Sequence, residues 1–227
     1  IGSETWSDED GFAVALPRTG ISGLCGSGII EAIATMYLAG IIRPDGVIDG
    51  AMAERSERVV RDGRTFSYVL HDGEPRISIS QADVRAIQLA KAALHAGARL
   101  LMERMGVRTL DRIRLAGAFG SHIDVRYAMV LGLLPDCDLE AVSPAANAAG
   151  TGARVALLNR SARAGIEARV RDISKIETAI DPDFQQYFVE AMAIPHGSLS
   201  YPLLSRTVEL PRAAVKDGRK RRQRRRK

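Results

Sequence analysis

The stretch "SQADVRAIQLAKAALHAGARLLMERMG", residues 80–106, constrains the fold most. Ser80 followed three positions later by Asp83 reads as a capping box, in which each residue satisfies a backbone amide of the other. Behind it Val84, Ile87, Leu94, Ala98, Leu101 and Met105 fall on one helical stripe, and Gly106 is the expected stop. This predicts one long amphipathic helix with those six apolar residues turned inward.

The other elements are shorter. "GFAVAL" (11–16) reads as a strand. Glycines 20, 23, 26 and 28 precede an apolar, alanine-rich helix that ends near Gly40. "TFSYVL" and "RISIS" read as strands around the acidic turn "HDGEP". A strand "RIRLAGA" follows the long helix, then a glycine-rich bend, then a short helix from Asp124 to about Leu131. Ser143-Pro144 reads as a cap and first helical residue opening "AANAAGTGARVALLNRSARAGIEA". Asp181-Pro182 opens a last helix containing Phe184, Phe188 and Met192, after which order is expected to fade and from about Pro211 to be absent. Helices alternating with few short strands indicate an α/β or α+β domain with a modest sheet.

Charge is unevenly placed. The chain of 227 residues carries +5, but "KDGRKRRQRRRK", residues 216–227, holds nine of the Lys and Arg residues and one Asp. The rest is therefore mildly acidic, at −3. Such a tail can neutralise phosphates in a salt-dependent way. It has no aromatic residue for base stacking, so a solvated terminus is the plainer reading. Two cysteines, Cys25 and Cys137, stand far apart with no Cys or His spacing around them. That argues against a disulfide framework, a zinc site or an iron–sulfur site and suits a reducing cytoplasm. No apolar run approaches the roughly 20 residues a membrane helix needs. No signal peptide opens the chain, and a first residue Ile1 rather than Met suggests a processed or truncated piece.

Three glycine-rich places could carry chemistry. In "IRLAGAFGSHID" the strand turns at Gly117, Ala118, Phe119 and Gly120, where small residues let a main chain approach an adenine or ribose. The next helix N-terminus would favour phosphate, and a purely structural turn is the competing reading. His122 reads as a loop hydrogen-bonder and Asp124 as a helix cap. "GLCGSG" brings Gly26, Ser27 and Gly28 to a helix start; it fits neither the Walker A nor the dinucleotide fingerprint, so close packing competes with a phosphate nest. Cys25 beside it has no nearby His or acidic residue to make it a nucleophile. Gly150 and Gly152, in "NAAGTGARVALL", weaken a helix and read as sites where another helix or loop passes close.

Taken together, "GLCGSGIIEAIATMYLAGII", "ISQADVRAIQLAKAALHAGARLLMERMGV", "DRIRLAGAFGSHIDVRYAMVLGLLPD", "NAAGTGARVALLNRSAR" and "DPDFQQYFVEAMAIPH" resemble, in that order, the C-terminal region of the reductive activators of corrinoid proteins. The resemblance runs from about residue 19 to 196. It implies part of an actin-like ATPase fold, the one shared by acetate and sugar kinases, heat-shock chaperones and actin. Residues 1–210 would be its C-terminal lobe and residues 211–227 a disordered basic tail. It implies an ATP-dependent electron donor that restores Co(I) in a corrinoid protein, with ATP and Mg²⁺ as cofactors. A [2Fe–2S] cluster would sit in an N-terminal ferredoxin-like domain that this chain lacks.

Within that fold Leu115 to Gly120 would correspond to the adenosine motif, with Ala118 standing where a second glycine is usual. Gly150 and Gly152 would correspond to the second connecting motif at the hinge. Neither phosphate hairpin of the "DxGTT" or "DIGTN" kind occurs here, nor do the four cluster cysteines. The expectation is that this chain holds the adenosine half of a site, neither hydrolyses ATP nor carries electrons alone, and docks a corrinoid protein. A nucleotide-independent docking module is the alternative, ahead of nucleic-acid binding through residues 216–227. Homodimerisation stays open.

Overall fold

The computed structural model describes residues 21–211. The strand expected at 11–16 and the basic tail lie outside them.

The first helix among the described residues, α1 (Gly26–Leu38), is capped by Cys25, whose sulfur accepts from the Gly28 amide at 3.3 Å. It buries Ile30, Ile33, Ala34, Met36 and Tyr37 along one side. Gly40 takes φ +73 at its end, and the Ile41 amide reaches back to the Met36 carbonyl at 2.9 Å, the closing bond of a Schellman turn. Three short strands follow: β1 (Val59–Asp62), β2 (Thr65–His71) and β3 (Ile77–Ile79), paired antiparallel in that order. β2 and β3 are the strands expected around "HDGEP". β1 had too little alternation to be read from the chain and is defined by its register, Val59 opposite Tyr68.

Helix α2 (Gln81–Arg104) has the capping box the sequence predicts. The Ser80 hydroxyl accepts from the Asp83 amide at 3.2 Å, and the Asp83 carboxylate accepts from the Ser80 amide at 2.8 Å. Its inward face is not the predicted one. Val84 is buried, but Leu94 and Leu101 are each 52% exposed and Met105 74%. The buried stripe is Val84, Gln88, Lys91 with Ala92, His95 with Ala96, and Leu100. Three polar side chains thus occupy core positions. They can because main-chain carbonyls meet them: Gln88 Nε2 donates to Met192 at 2.7 Å and Asp45 at 3.2 Å, and Lys91 Nζ donates to Ala193 and, at 2.7 Å, to Pro195.

Past Gly106 the chain forms β4 (Ile113–Leu115), a short helix α3 (Ala118–His122) and α4 (Val125–Leu131), which Asp124 caps. α4 packs on α1, and its last four residues are fully buried. Strand β5 (Val142–Pro144) pairs parallel with β4. Ser143-Pro144 is therefore strand, not helix start, because the β4 ladder claims it. The helix begins at Ala148 with Asn147 as its cap. What reads as one helix is two, α5 (Ala148–Leu158) and α6 (Arg160–Arg171), because Asn159 leaves helical geometry to cap α6.

Helix α7 (Pro182–Glu190) starts at Asp181 as expected and lies along α2. Arg104 pairs with Asp181 at 2.7 Å, and the Tyr187 hydroxyl donates to Glu103. Met192 falls just past the helix. Order does not fade at "IPHG": residues 192–208 run back across the body, burying Ile194, Tyr201, Leu204 and Val208. Asp136 accepts from the Leu203 and Leu204 amides at 2.9 and 3.0 Å, which fastens this return.

The hydrophobic core therefore lies between α1, α4, the start of α2 and this returning segment. Among the described residues no helix is long and apolar enough to cross a membrane.

Candidate functional site

Strands β4 and β5 run side by side in the same direction, Leu115 opposite Pro144. Each then turns into the N-terminus of a helix, and the two turns are stitched together. The Gly117 amide donates to the Ala146 carbonyl at 2.8 Å, and the Ala145 amide donates to the Leu115 carbonyl at 2.8 Å. Gly117 has φ +95 and ψ 168, a backbone region essentially restricted to glycine. Ala146 has φ +48, which is uncommon for a residue with a Cβ. A strained residue held by its neighbours at the end of two parallel strands is the kind of backbone found at ligand-binding turns.

The expected bend is itself helical: α3 starts at Ala118 directly after Gly117. Gly120 packs on the strand that precedes it, since a Cβ there would stand 2.9 Å from the Leu115 Cβ. Phe119 remains 51% exposed, and the edge of its ring would lie 3.3 Å from a Cβ on Gly26. The structure therefore brings Gly26 at the start of α1 against Phe119 in the bend. It joins the first two glycine-rich places across more than 90 residues of sequence. Ser27 and Gly28 sit in the first turn of α1, where the Ser27 hydroxyl lies 3.3 Å from the Cys25 sulfur. That contact and the Gly28 amide hold the exposed Cys25 thiol below its ordinary pKa. His122 Nδ1 lies 2.8 Å from the Ala118 carbonyl, a local bond within α3.

The third place behaves differently. Gly150 gives clearance to its own cap, for its amide donates to Asn147 Oδ1 at 2.8 Å and a Cβ would stand 2.7 Å from Asn147 Nδ2. Gly152 has no atom within 4 Å of where a Cβ would be. The close-passing helix expected there is not found among the described residues. α5 and α6 pack on each other and bury no residue.

The arrangement that results is an open end of a parallel strand pair, rimmed by the 117–120 turn, by Ala146 to Gly150, and by the start of α1. A flat ring or a ribose can lie on such a surface because Gly117 carries no side chain in its way and Gly120 lets the turn pack tightly on Leu115. Phe119 offers an aromatic face at its edge. A four-thiolate cluster has no place here: the chain has two cysteines, one exposed at α1 and one buried, where Cys137 Sγ donates to the Leu110 carbonyl at 3.4 Å. Among the described residues, no group of three or more His, Cys, Asp or Glu side chains is placed to hold a metal.

Sequence reasoning missed the cluster of Gln88, Lys91, His95, His196 and Tyr201 under the returning segment. The signal available was the polar i, i+3, i+7 pattern inside the apolar helix, which marks a face only when its partners are known.

The chain is 39% identical over 184 residues to the corrinoid activation enzyme RamQ of Eubacterium limosum, covering 76% of this chain and 31% of that protein. Its fold is similar to that of a solved reductive activator for a corrinoid, iron–sulfur protein, with a TM-score of 0.69 at 34% identity. That likeness covers 79% of this chain and 29% of the solved one. The chain thus spans about a third of the length of these relatives. Residues 3–205 match the family described as the C-terminal domain of RACo, the ASKHA domain, and the chain belongs to that family.

Proposed function

We propose that this chain is the C-terminal part of an ATP-dependent activator that returns the cobalt of a corrinoid protein to Co(I). Its own share is the adenosine side of the nucleotide cleft. The observation that carries the reading is the stitched turn at the ends of β4 and β5, where Gly117 leaves bare backbone beside Phe119 and Gly120 seats the turn on Leu115. Open α/β sheets bind ligands at the carboxyl ends of their strands. The names of the two relatives supply the class of reaction.

When bound, ATP with Mg²⁺ would supply the free energy for an unfavourable electron transfer. What the residues of this chain do is bind and orient. The 117–120 turn takes the base and ribose, Ala146 holds that turn in place through the Gly117 amide, and α1 braces it through Gly26. No electron-carrying step is assigned to these residues, since the thiolates for a [2Fe–2S] cluster are not among them.

The test is calorimetric titration of ATP into the full-length gene product and into its Gly120→Val variant. A valine there meets Leu115 and displaces the turn, so affinity should fall at least tenfold while the fold, followed by circular dichroism, is kept. Unchanged affinity in a folded variant would remove the adenosine assignment. The 227-residue chain alone should show no ATP hydrolysis.

One observation favours a second reading. Helices α5 and α6 expose Leu157, Leu158 and Val170 among five arginines, a surface suited to docking whether or not nucleotide is present. Pull-down of the corrinoid protein with and without ATP separates the two, because nucleotide-independent capture supports docking as the primary role.

A further inference from the structure

The returning segment crosses α2 on a row of polar side chains that the nucleotide reading does not use. Lys91 is 1% exposed, and both of its acceptors are main-chain carbonyls of this segment, Ala193 and Pro195. His95, also 1% exposed, holds Nδ1 3.1 Å from the Gly132 carbonyl and 3.5 Å from the Tyr201 hydroxyl. Its ring lies 4.8 Å from that of His196. The Ile194 amide donates to the Pro44 carbonyl at 2.8 Å, and a Cβ on Gly132 would overlap the Pro195 carbonyl oxygen. The segment is thus pressed between α2, the 43–46 turn and the end of α4.

A neutral amine has two N–H donors, which match the two carbonyls it meets. Protonation adds a third donor and a full charge to a site closed to water. The charged and titratable groups around it do little to welcome that charge. α2 contributes His95 and Arg99, and the segment itself contributes His196 and Tyr201. From α7 comes Glu190, already hydrogen-bonded by Gln186 at 3.0 Å and Ser198 at 2.8 Å. The turn after α4 offers Asp136, taken by the Leu203 and Leu204 amides, and the 43–46 turn offers Asp45, paired with Arg43 at 3.0 Å. α1 and α4 present Ile33 and Leu131.

We propose that residues 192–204 form a proton-sensitive strap, held on α2 while Lys91 is neutral and released as Lys91 takes up a proton. The direction follows from linkage. Burial lowers Lys91 to about 7, while a solvated lysine titrates near 10.5. The open form therefore binds more protons than the closed form between those values, and the closed form gains as pH rises through the window. Burial also lowers His95 and His196 to about 4 from 6.5, so both act in the same direction at lower pH. Between pH 8 and pH 6 the Lys91 equilibrium alone shifts strap opening by about tenfold. The strap is independent of whether the 117–120 turn binds nucleotide.

The test is amide hydrogen exchange of the full chain at pH 8, 7 and 6, corrected for intrinsic exchange rates, with a parallel titration of ¹³Cε-labelled lysines by NMR. The protection of Ile194, Leu203 and Leu204 should drop at least tenfold across that range. The amides of β1 and β2 should hold theirs, and one lysine should titrate near 7. Lys91→Met should remove that resonance and lessen the pH dependence about tenfold, leaving the weaker dependence that His95 and His196 supply. Strap protection that stays constant, falls together with the sheet, or falls while every lysine titrates above 9 would overturn the proposal. The NMR titration keeps the test decisive if the methionine variant does not fold.

Discussion

At the scale of single residues, glycine serves two purposes in this chain that only its surroundings distinguish. Gly117 and Gly132 sit at φ +95 and +77, and the carbonyl of Pro195 lies where a side chain on Gly132 would be. Gly152 sits inside α5 with nothing near it. Alanine is favoured over glycine in a helix interior by up to about 1 kcal/mol. Gly152→Ala should therefore leave this chain as stable or up to about 1 kcal/mol more stable in urea denaturation. A loss of stability would show that some other part of the protein lies close to α5. Lys91 makes the complementary point. A lysine at a core position reads from sequence as a misfit, yet two carbonyls and near-complete burial make it a fastening.

At the scale of elements, the long helix shows what a pattern can and cannot say. Its existence, its cap and its stop were all legible, because capping is a local exchange of hydrogen bonds between Ser80 and Asp83. Ser80→Ala should cost about 1 kcal/mol, seen as a lowered thermal midpoint with the helix otherwise intact. Its buried face was not legible. The stripe of Leu94, Leu101 and Met105 is as regular as the true one, and the true one is disguised by Gln88, Lys91 and His95. Burial of those three depends on carbonyls more than 90 residues away, at Met192 to Pro195, or on the end of α4. Likewise Ser143-Pro144 has good local helix-start chemistry, which the ladder to β4 overrides.

At the scale of the whole molecule, stability is uneven. The core gathers α1, α4 and the returning strap, while α5 and α6 bury no residue and Leu158 is 82% exposed. Segments with few buried contacts open first. Amides of α5 and α6 should therefore exchange well ahead of those in α2, and protection equal to that of α2 would mean that another surface covers them. The glycine-rich candidates were legible as three separate places, and the structure joins the first two through Phe119 and Gly26. It gives the third a role in capping its own helix. By itself the sequence determined the long helix, the caps at Ser80, Asp124 and Asp181 and the family resemblance, since these rest on short-range spacing and on long runs of residues. Which face of α2 is buried, that the chain stays ordered past "IPHG", and that Gly117 meets Ala146 were decided by tertiary structure alone. Each depends on a partner brought in from a distant part of the chain, and no local pattern encodes that partner's position.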